Sequence, residues 1–486
     1  MTALTEDASA ASRADALPLE RSLTLRDLVL FHVVAVLGLR WVATAAKTGP
    51  SAVTLWLLAA LFFFIPQGLA VVAMSSRFPE EGGVYAWTRR TLGEGHGCLC
   101  GWCYWINNVL YYPNLLISTA VIGTFAIGRG DSGLESNWLY VLGVALSALW
   151  LAVALNIVGL GTGKWLQNLG AIGSYVPGVL LILLGLYAVA TRGPANPVSA
   201  PAMVPHVNDL SSLNLWASIA FAFTGLELAA AMGGEIKEPR RNLPRSIYIA
   251  APLVAAAYVL GTGAIVWLMP VGDINIVSGF LQAIAAGAQN VSPALWWLPV
   301  GAAALYAIGN VGGVGAWLAG PARVAFVIGL DRYFPPAFGK VHPRWRTPYV
   351  AILVQAGLGT VFLLLSVLGK GSTVEHAYLI LLDTQLLIYF IPYIYLFVCV
   401  LVVGRRDVAT RAGGGETGHP AARAGTPLFA ASGLIVTVLA MIVAMIPPAD
   451  GTSALLFEAK VVGGAAMFVA IGGIIYRRGQ RRVATG

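Results

Sequence analysis

Three ionisable side chains stand inside apolar stretches that are long enough to cross a lipid bilayer. Arg40 lies about halfway along the first stretch, Glu227 in the second half of the sixth, and Asp383 within the tenth. A charge near the bilayer centre costs at least about 2.5 to 3.5 kcal/mol on insertion scales. An ionisable residue at that depth therefore usually has a function, such as binding a substrate or ion or carrying a proton. These three residues are therefore the first candidates for functional chemistry.

Two of these charges have a glycine beside them. Residues 38–41 (GLRW) and 224–227 (TGLE) place glycine close to Arg40 and Glu227 at middle depth, in stretches that are five apart. Glycine is common in membrane helices because it allows close packing. Its occurrence beside a charge, twice and at corresponding positions of two halves, favours broken helices whose exposed N–H and C=O groups bind a charged ligand.

Further polar side chains cluster in the third stretch, more densely than helix packing requires, at Asn107, Asn108, Tyr111, Tyr112 and Asn114. Interhelical hydrogen bonds account for some of them. His32 lies about two turns before Arg40, and its ordinary pKa near neutrality suits a proton relay. A lone membrane histidine is more often a packed, hydrogen-bonded residue, so both interpretations stay open.

The elements that carry these residues are predicted to be helices. The 486-residue chain is 58% hydrophobic and 11% charged, which excludes a soluble globular enzyme and a disordered chain. The alternating segments of a β-barrel are absent. A membrane helix needs about 20 apolar residues. Twelve stretches meet this requirement, at residues 27–48, 51–74, 98–128, 138–160, 168–191, 213–234, 246–270, 294–328, 348–369, 374–403, 426–446 and 461–476.

The distribution of basic residues predicts the orientation of these helices. With an even number of spans, both termini and every second loop share one side, and 24 of the 30 Lys and Arg residues fall on that side. The positive-inside rule makes this side cytoplasmic. The net charge of +8 follows from this asymmetry and gives no reason to expect a nucleic-acid partner.

Three segments carry a resemblance to a known family. They are residues 221–244, which run from FAFTGLE to GEIKEPRRNLP, residues 79–87 (PEEGGVYAW), and residues 331–348 (DRYFPPAFGKVHPRWRTP). The first resembles the sixth-span signature of the amino acid-polyamine-organocation (APC) superfamily. The other two look like that superfamily's loops between spans 2 and 3 and between spans 8 and 9.

The resemblance implies an all-α integral membrane fold with a five-plus-five inverted repeat (LeuT-like) and two extra C-terminal helices. The implied organisation is a disordered cytoplasmic tail (1–25), a ten-helix transport core (26–403), a cytoplasmic loop (404–425), helices 11 and 12 (426–476) and a basic cytoplasmic tail (477–486). Secondary transport by alternating access is the implied activity.

Several residue roles also follow from the resemblance. Phe221 falls where related exchangers place a gating aromatic residue, Trp317 matches an aromatic residue near the pocket, and Glu227 matches a recurrent glutamate. The sequence departs from the family at residues 38–40, where a run of small residues is usual. There Arg40 could bind a carboxylate, pair with Glu227 or Asp383, or extend toward the headgroups.

We therefore expect a plasma-membrane permease for an amino acid or a carboxylate-bearing derivative, with proton coupling and exchange both open. A polyamine or amine transporter of the same fold and a non-transporting membrane receptor are the alternatives. No enzymatic activity, cofactor or metal is expected, and the partners are a small molecule and the lipid bilayer. The candidate binding residues are Gly38, Leu39, Arg40, Trp41, Asn107, Asn108, Tyr111, Phe221, Phe223, Thr224, Gly225 and Trp317, and the candidate coupling or gating residues are Glu227, Asp383 and His32.

Overall fold

The computed structural model describes residues 19–130, 132–205, 218–368, 373–412, 426–446 and 454–485. Within these ranges, the side chains at 373–383, 408–412, 454, 456–457 and 483–485 are left undescribed. Eleven helical segments of the described chain are long and apolar enough to cross a membrane. The molecule is therefore an all-helical integral membrane protein.

Fifteen α-helices of eight or more residues lie in the described part of the chain. They are α1 (Leu25–Val36), α2 (Leu39–Ala46), α3 (Ser51–Ala59), α4 (Ile65–Arg77), α5 (Val84–Leu92), α6 (Glu94–Ala126), α7 (Trp138–Val158), α8 (Leu160–Arg192), α9 (Pro239–Leu268), α10 (Gly279–Val291), α11 (Leu298–Leu330), α12 (Tyr349–Leu368), α13 (Thr373–Ala412), α14 (Thr426–Ala444) and α15 (Ala454–Thr485). A π-helical turn, Ala60–Phe64, joins α3 to α4, and a 3₁₀ segment, Leu228–Glu235, precedes α9.

The first membrane span is broken in the middle. Thr24 and Asp27 form a capping box that starts α1, and the helix ends where Leu37 and Gly38 adopt extended backbone angles. Helix α2 then begins at Leu39. The N–H of Gly38, left without a helical acceptor, donates to the hydroxyl of Tyr258 on α9 at 3.1 Å.

The sixth span is broken in the same way. Helical turns at residues 218–222 give way to irregular backbone at 223–227, and the 3₁₀ segment follows. Gly225 has a φ of 119°, and a Cβ atom there would lie 3.3 Å from both Trp317 and Val36. Only glycine combines this backbone with such close neighbours.

Helix α11 forms the centre of the bundle and packs against α6 and α8. Its contact with α8 depends on paired glycines: a Cβ atom at Gly170 would lie 2.7 Å from the Cα of Gly312, and one at Gly173 would lie 2.8 Å from the N of Gly309. Small residues at equivalent turns let two membrane helices approach at backbone distance. The α8–α11 pair is therefore a close-packed frame behind the two breaks.

Several predicted boundaries are corrected by the structure. The segment predicted as a loop at 404–425 is helical to Ala412, and the predicted tail at 477–486 is helical to Thr485. Good helix formers such as arginine allow both helices to continue beyond the apolar stretch. The amphipathic α10 was not predicted at all. Residues 213–217, the first five of the predicted sixth span, and residues 413–425 lie outside the described residues.

The end of the predicted N-terminal tail is also ordered. Leu23 is 2% exposed and forms an isolated parallel bridge with Ile236, immediately after the 3₁₀ segment. The N–H of Lys237 donates to the carbonyl of Leu23 at 2.9 Å. These backbone hydrogen bonds fix the start of the first span to the end of the sixth.

Candidate functional site

The two helix breaks meet at a small cavity. Its volume is about 30 Å³. A cavity of this size holds about one water molecule. The side chains that line it and can form polar or aromatic contacts are Arg40, Trp41, Tyr111, Ser174, Phe221, Thr224, Tyr306, Asn310 and Trp317. The site is therefore nearly closed in this conformation.

Arg40 supplies a charge to this lining. The side chain is 9% exposed, and its guanidinium donates hydrogen bonds to the Tyr111 hydroxyl and to Oδ1 of Asn114. The guanidinium carbon also lies 4.6 Å from the centre of the Trp41 ring and 5.4 Å from that of Tyr111. Among the residues that the structure describes, Arg40 has no acidic partner. Its positive charge is held by neutral groups and has no compensating carboxylate in the part of the chain that the structure describes.

One backbone N–H group that the first break exposes is already occupied. The N–H of Gly38 donates to the Tyr258 hydroxyl at 3.1 Å, and the Tyr306 side chain on α11 lines the cavity. A ligand carboxylate that binds the Gly38 N–H must displace the Tyr258 hydroxyl.

Aromatic rings close the cavity. Phe221 lies 5.6 Å from Trp41 and 6.2 Å from Tyr111, measured between ring centres. Trp317 lies 5.4 Å from Tyr111, and its indole N–H donates to the carbonyl of Ala35 at 2.9 Å. This hydrogen bond fixes the Trp317 ring against the last turn of α1.

Asn310 is a lining residue that sequence reasoning missed. It is 5% exposed, and its Nδ2 has no hydrogen-bond acceptor in the part of the chain that the structure describes. Ser174 on α8 lines the same cavity, and its Oγ would lie 2.5 Å from a Cβ atom at Gly309, next to Asn310. The available signal was a single amide in the glycine-rich segment Gly309–Gly313, which packing alone does not require.

Glu227 lies outside the lining and forms a separate polar cluster. Its Oε1 accepts hydrogen bonds from the hydroxyls of Tyr104 (3.2 Å) and Tyr389 (3.1 Å). Its Oε2 accepts from the Tyr393 hydroxyl (2.7 Å), the Gln67 amide (3.1 Å) and the N–H of Gly225 (3.1 Å). The carboxylate thus connects the broken sixth span to α4, α6 and α13.

The cavity and this cluster are in contact through the ring of Tyr389, which lies 6.0 Å from that of Trp317 and closer to that of Phe221. Phe221 lies on the cavity side with its ring centre 5.4 Å from that of Tyr389, whose hydroxyl donates to Glu227. A movement of Phe221 therefore reaches the Glu227 carboxylate through a single intervening side chain.

Five other candidate residues do not line the cavity. Leu39, the first residue of α2, is buried but does not belong to the lining. The Asn108 amide donates to the carbonyl of Tyr104 on its own helix at 2.6 Å, and Asn107 is buried with Oδ1 unpaired among the described residues. Phe223 stacks on Phe64 at 4.3 Å, away from the cavity. Gly225 contributes backbone geometry, as described above, rather than lining.

The two remaining coupling candidates are His32, which does not line the cavity, and Asp383, whose side chain is undescribed. His32 is fully buried on α1, where its Nε2 lies 3.1 Å from the hydroxyl of Ser246 on α9. Asp383 belongs to α13, but its side chain lies outside the described residues. Pairing of Arg40 with Glu227 does not occur in this structure, because the five donors around Glu227 are the tyrosine, glutamine and glycine groups already named.

A second buried arginine lies near the end of the bundle that carries most of the basic loops. Arg323 on α11 is fully buried and binds Glu235 with two hydrogen bonds, 2.7 Å from Nε and 3.1 Å from a terminal nitrogen. Glu81, in the loop before α5, accepts the N–H of Gly234. Burial and the neighbouring Glu235 carboxylate raise the pKa of the Glu81 carboxyl well above its ordinary value, against the opposing effect of Arg323.

Comparison with known proteins agrees with this architecture. Residues 23–475 match the amino acid permease family. An uncharacterised transporter of Legionella pneumophila is 31% identical over 93% of this chain and 96% of its own length. A probable agmatine/putrescine antiporter of Lactococcus lactis is 23% identical over 94% of both chains. A serine/threonine exchanger of Bacillus subtilis is 27% identical over 75% of this chain and 78% of its own length.

The family match spans nearly the whole described bundle, including both broken helices and the cavity between them. The chain is a member of the amino acid permease family, within the APC superfamily of membrane transporters.

Proposed function

We propose that this protein exchanges an amino acid, or a carboxylate-bearing derivative of one, across the plasma membrane by alternating access around the cavity. The observation that carries this proposal is Arg40, the cation of the described lining, which contains no acidic side chain. In this proposal both termini face the cytoplasm and the two broken helices belong to corresponding halves of a five-plus-five inverted repeat.

The chemistry of Arg40 suits a carboxylate. A guanidinium presents two parallel N–H donors to a carboxylate, and such charge-assisted pairs are about twice as strong as neutral hydrogen bonds. Its present partners, Tyr111 and Asn114, are neutral and can be exchanged for a ligand without breaking an ion pair. A bound carboxylate would supply the charge compensation that the described residues around the buried guanidinium do not provide.

The size of the cavity supports a conformational change during transport. Pockets that hold small ligands usually enclose about 300 to 1,000 Å³. The 30 Å³ present here is too small for any amino acid, so the aromatic walls must separate before substrate binds. Phe221 packs against Trp41 on one side and Tyr389 on the other, which makes it the side chain whose displacement opens the lining.

Glu227 acts in this proposal as a latch. Its carboxylate ties the broken sixth span to three other helices through neutral donors. Phe221 transmits substrate binding to this latch through Tyr389. The names of two relatives, an antiporter and an exchanger, favour exchange over proton symport for this chain.

An amine substrate is the second candidate. The relative named as a probable agmatine/putrescine antiporter favours it, and aromatic rings such as Trp41, Tyr111 and Trp317 bind organic cations. Repulsion from Arg40 opposes it. A substrate cation would need a compensating carboxylate to enter the lining when the cavity opens.

Exchange in proteoliposomes tests the proposal. Vesicles preloaded with one amino acid are challenged outside with labelled neutral, acidic and basic amino acids, decarboxylated amines and polyamines. We expect carboxylate-bearing compounds to exchange and to raise the melting temperature of the purified protein. Exchange of amines alone would overturn the carboxylate proposal in favour of the second candidate, and ligand-induced stabilisation without flux would indicate a receptor.

A variant set assigns the effect to Arg40. We expect Arg40→Gln to weaken substrate binding at least about tenfold, because a charged hydrogen bond of about 1.5 to 3 kcal/mol is lost. Arg40→Lys should keep part of the affinity, since the charge remains but the paired donors do not. Arg192→Gln is the matched control, because Arg192 is an exposed arginine bonded to Asn290 at the end of α8. Unchanged affinity in Arg40→Gln would refute direct contact.

A further inference from the structure

A second cavity lies at the basic end of the bundle, away from the candidate substrate site. Its volume is about 240 Å³, and it opens between α6, α15 and the segment that follows α11. Aromatic rings form its floor, and two arginines of α15 stand at its edge; these residues are Trp102, Trp105, Phe334, Phe338, Arg478 and Arg482. This cavity is eight times larger than the closed cavity at Arg40.

The aromatic floor is rigid and apolar. The ring of Phe334 lies 5.4 Å from that of Trp105 and 5.0 Å from that of Phe338. The indole N–H of Trp102 donates to the carbonyl of Phe468 at 2.8 Å, and that of Trp105 donates to Gln355 at 3.0 Å. Because both indole donors are satisfied within the protein, the rings offer a ligand only their apolar faces.

Glycines bring α15 close enough to place its arginines at this floor. A Cβ atom at Gly472 would lie 2.6 Å from Trp102, and one at Gly479 would lie 2.7 Å from Tyr333. Arg478 and Arg482 are four residues apart, so they share one face of the helix. Arg477 and Arg481 lie on a different face and do not line the cavity.

Of the two arginines at the edge of this cavity, Arg478 has N–H donors available for a ligand. Arg478 is exposed and forms no ion pair with any residue in the part of the chain that the structure describes. The helix leaves its apolar stretch just before residue 477, so the arginines lie near the level of lipid headgroups. A pocket that is basic at the headgroup level and apolar toward the bilayer fits an amphiphile with an anionic head.

We propose that this cavity binds an anionic phospholipid of the adjoining leaflet. Its phosphate contacts Arg478 and Arg482 through charge-assisted hydrogen bonds, and its glycerol and upper acyl carbons cover Trp105, Phe334 and Phe338. A soluble phosphate ester shares the head chemistry but leaves the aromatic floor uncovered. Bound lipid would join α15 to the segment after α11.

Lipid titration of the purified full-length protein in neutral detergent tests this proposal. The probes are a phosphatidylglycerol, a phosphatidylcholine with the same acyl chains, and inorganic phosphate, and the readout is the melting temperature together with lipid retention in native mass spectrometry. Phosphatidylglycerol should raise the melting temperature by several degrees and remain bound. Phosphatidylcholine and inorganic phosphate should do neither.

Two double variants with equal loss of charge locate the effect. Arg478→Gln with Arg482→Gln should abolish stabilisation by phosphatidylglycerol, whereas Arg477→Gln with Arg481→Gln should keep it. Equal loss in both variants would mean that the basic end attracts anionic lipid without a site, and stabilisation by inorganic phosphate alone would mean an ion site; either result overturns the proposal. Substrate exchange is measured on the same samples, so failure of the lipid proposal is separable from failure of the transport proposal.

Discussion

Two buried arginines of this protein have opposite surroundings. Arg323 is fully buried and its charge is matched by the two carboxylate oxygens of Glu235. Arg40 is 9% exposed and is held by a tyrosine, an asparagine and an indole ring, none of which carries a charge. Burial of the two side chains is similar. They differ in whether a described carboxylate neutralises the charge of the guanidinium.

The contrast separates two uses of the same residue type. A buried ion pair with full hydrogen bonding fixes the elements that it joins, here α11 and the end of the 3₁₀ segment. An uncompensated buried cation is costly until a ligand supplies the opposite charge. Removing Arg323 should therefore damage the fold, whereas removing Arg40 should damage binding.

The largest effect on stability is expected for Arg323→Met. This change leaves the Glu235 carboxylate buried without its partner, next to Glu81, and should cost about 3 to 5 kcal/mol of unfolding free energy. The measurement is chemical denaturation in mixed micelles. Arg241→Met is the control: its pair with Glu238 is exposed, and its loss should change the same quantity by about 0 to 1 kcal/mol. Equal effects of the two variants would remove the distinction between the pairs.

A smaller effect is expected for Glu227→Gln. One carboxylate oxygen becomes an NH₂ group that faces donors from tyrosine, glutamine and backbone, and the unmatched donors should cost about 1 to 3 kcal/mol. Exchange should slow as well, because the latch is weakened. Melting temperatures and exchange rates are compared with those of Glu238→Gln, an exposed glutamate that should change neither. Full activity of Glu227→Gln would contradict the latch.

A still smaller, pH-dependent effect is expected at Glu81. Its pKa lies well above 4.5 in the folded protein, so ionisation opposes folding. Below pH 4.5 the carboxyl is protonated in both states, and wild type and Glu81→Gln should respond alike. As the pH rises through the folded pKa, wild type should lose melting temperature relative to the variant. A constant difference between pH 4.5 and pH 8 would show that Glu81 does not titrate at this contact.

The smallest effect on stability is expected for Arg40→Met, although it should abolish binding. Loss of the uncompensated charge favours folding, whereas the Tyr111 and Asn114 groups lose a partner, and the two contributions should cancel to within about 1 kcal/mol. The apparent melting temperature without ligand checks this. A loss as large as that of Arg323→Met would show that Arg40 is structural and would remove the comparison between the two arginines.

Much of the fold was predictable from local sequence. The occurrence of glycine beside a mid-span charge predicted helix breaks, and the structure has them at Gly38 and Gly225. The pattern is informative because a buried charge and a residue without Cβ seldom coincide by chance. The apolar stretches gave the described spans to within several residues. Helix ends were less predictable, since α13 and α15 continue into polar sequence where no apolar signal remains.

The residues that line the site were harder to predict, because the lining depends on how each helix is rotated about its own axis. Tyr306 and Asn310 reach the cavity only because the glycines of α11 turn toward α8 and set its rotation. Conversely, Glu227 turns away from the cavity toward three tyrosines on other helices, which spacing along one span does not reveal. Asn107 and Asn108 face away from the lining for the same reason.

The hydroxyl of Tyr258 lies within hydrogen-bonding distance of groups on both broken spans: the N–H of Gly38 at 3.1 Å, the carbonyl of Val36 and, at 3.1 Å, the carbonyl of Ala222. The two hinges therefore share one pivot. Bending either span while this hydroxyl stays in place strains the other, so the two broken spans are expected to move together rather than in turn. A phenylalanine at position 258 would uncouple them and allow leak states in which only one span has moved.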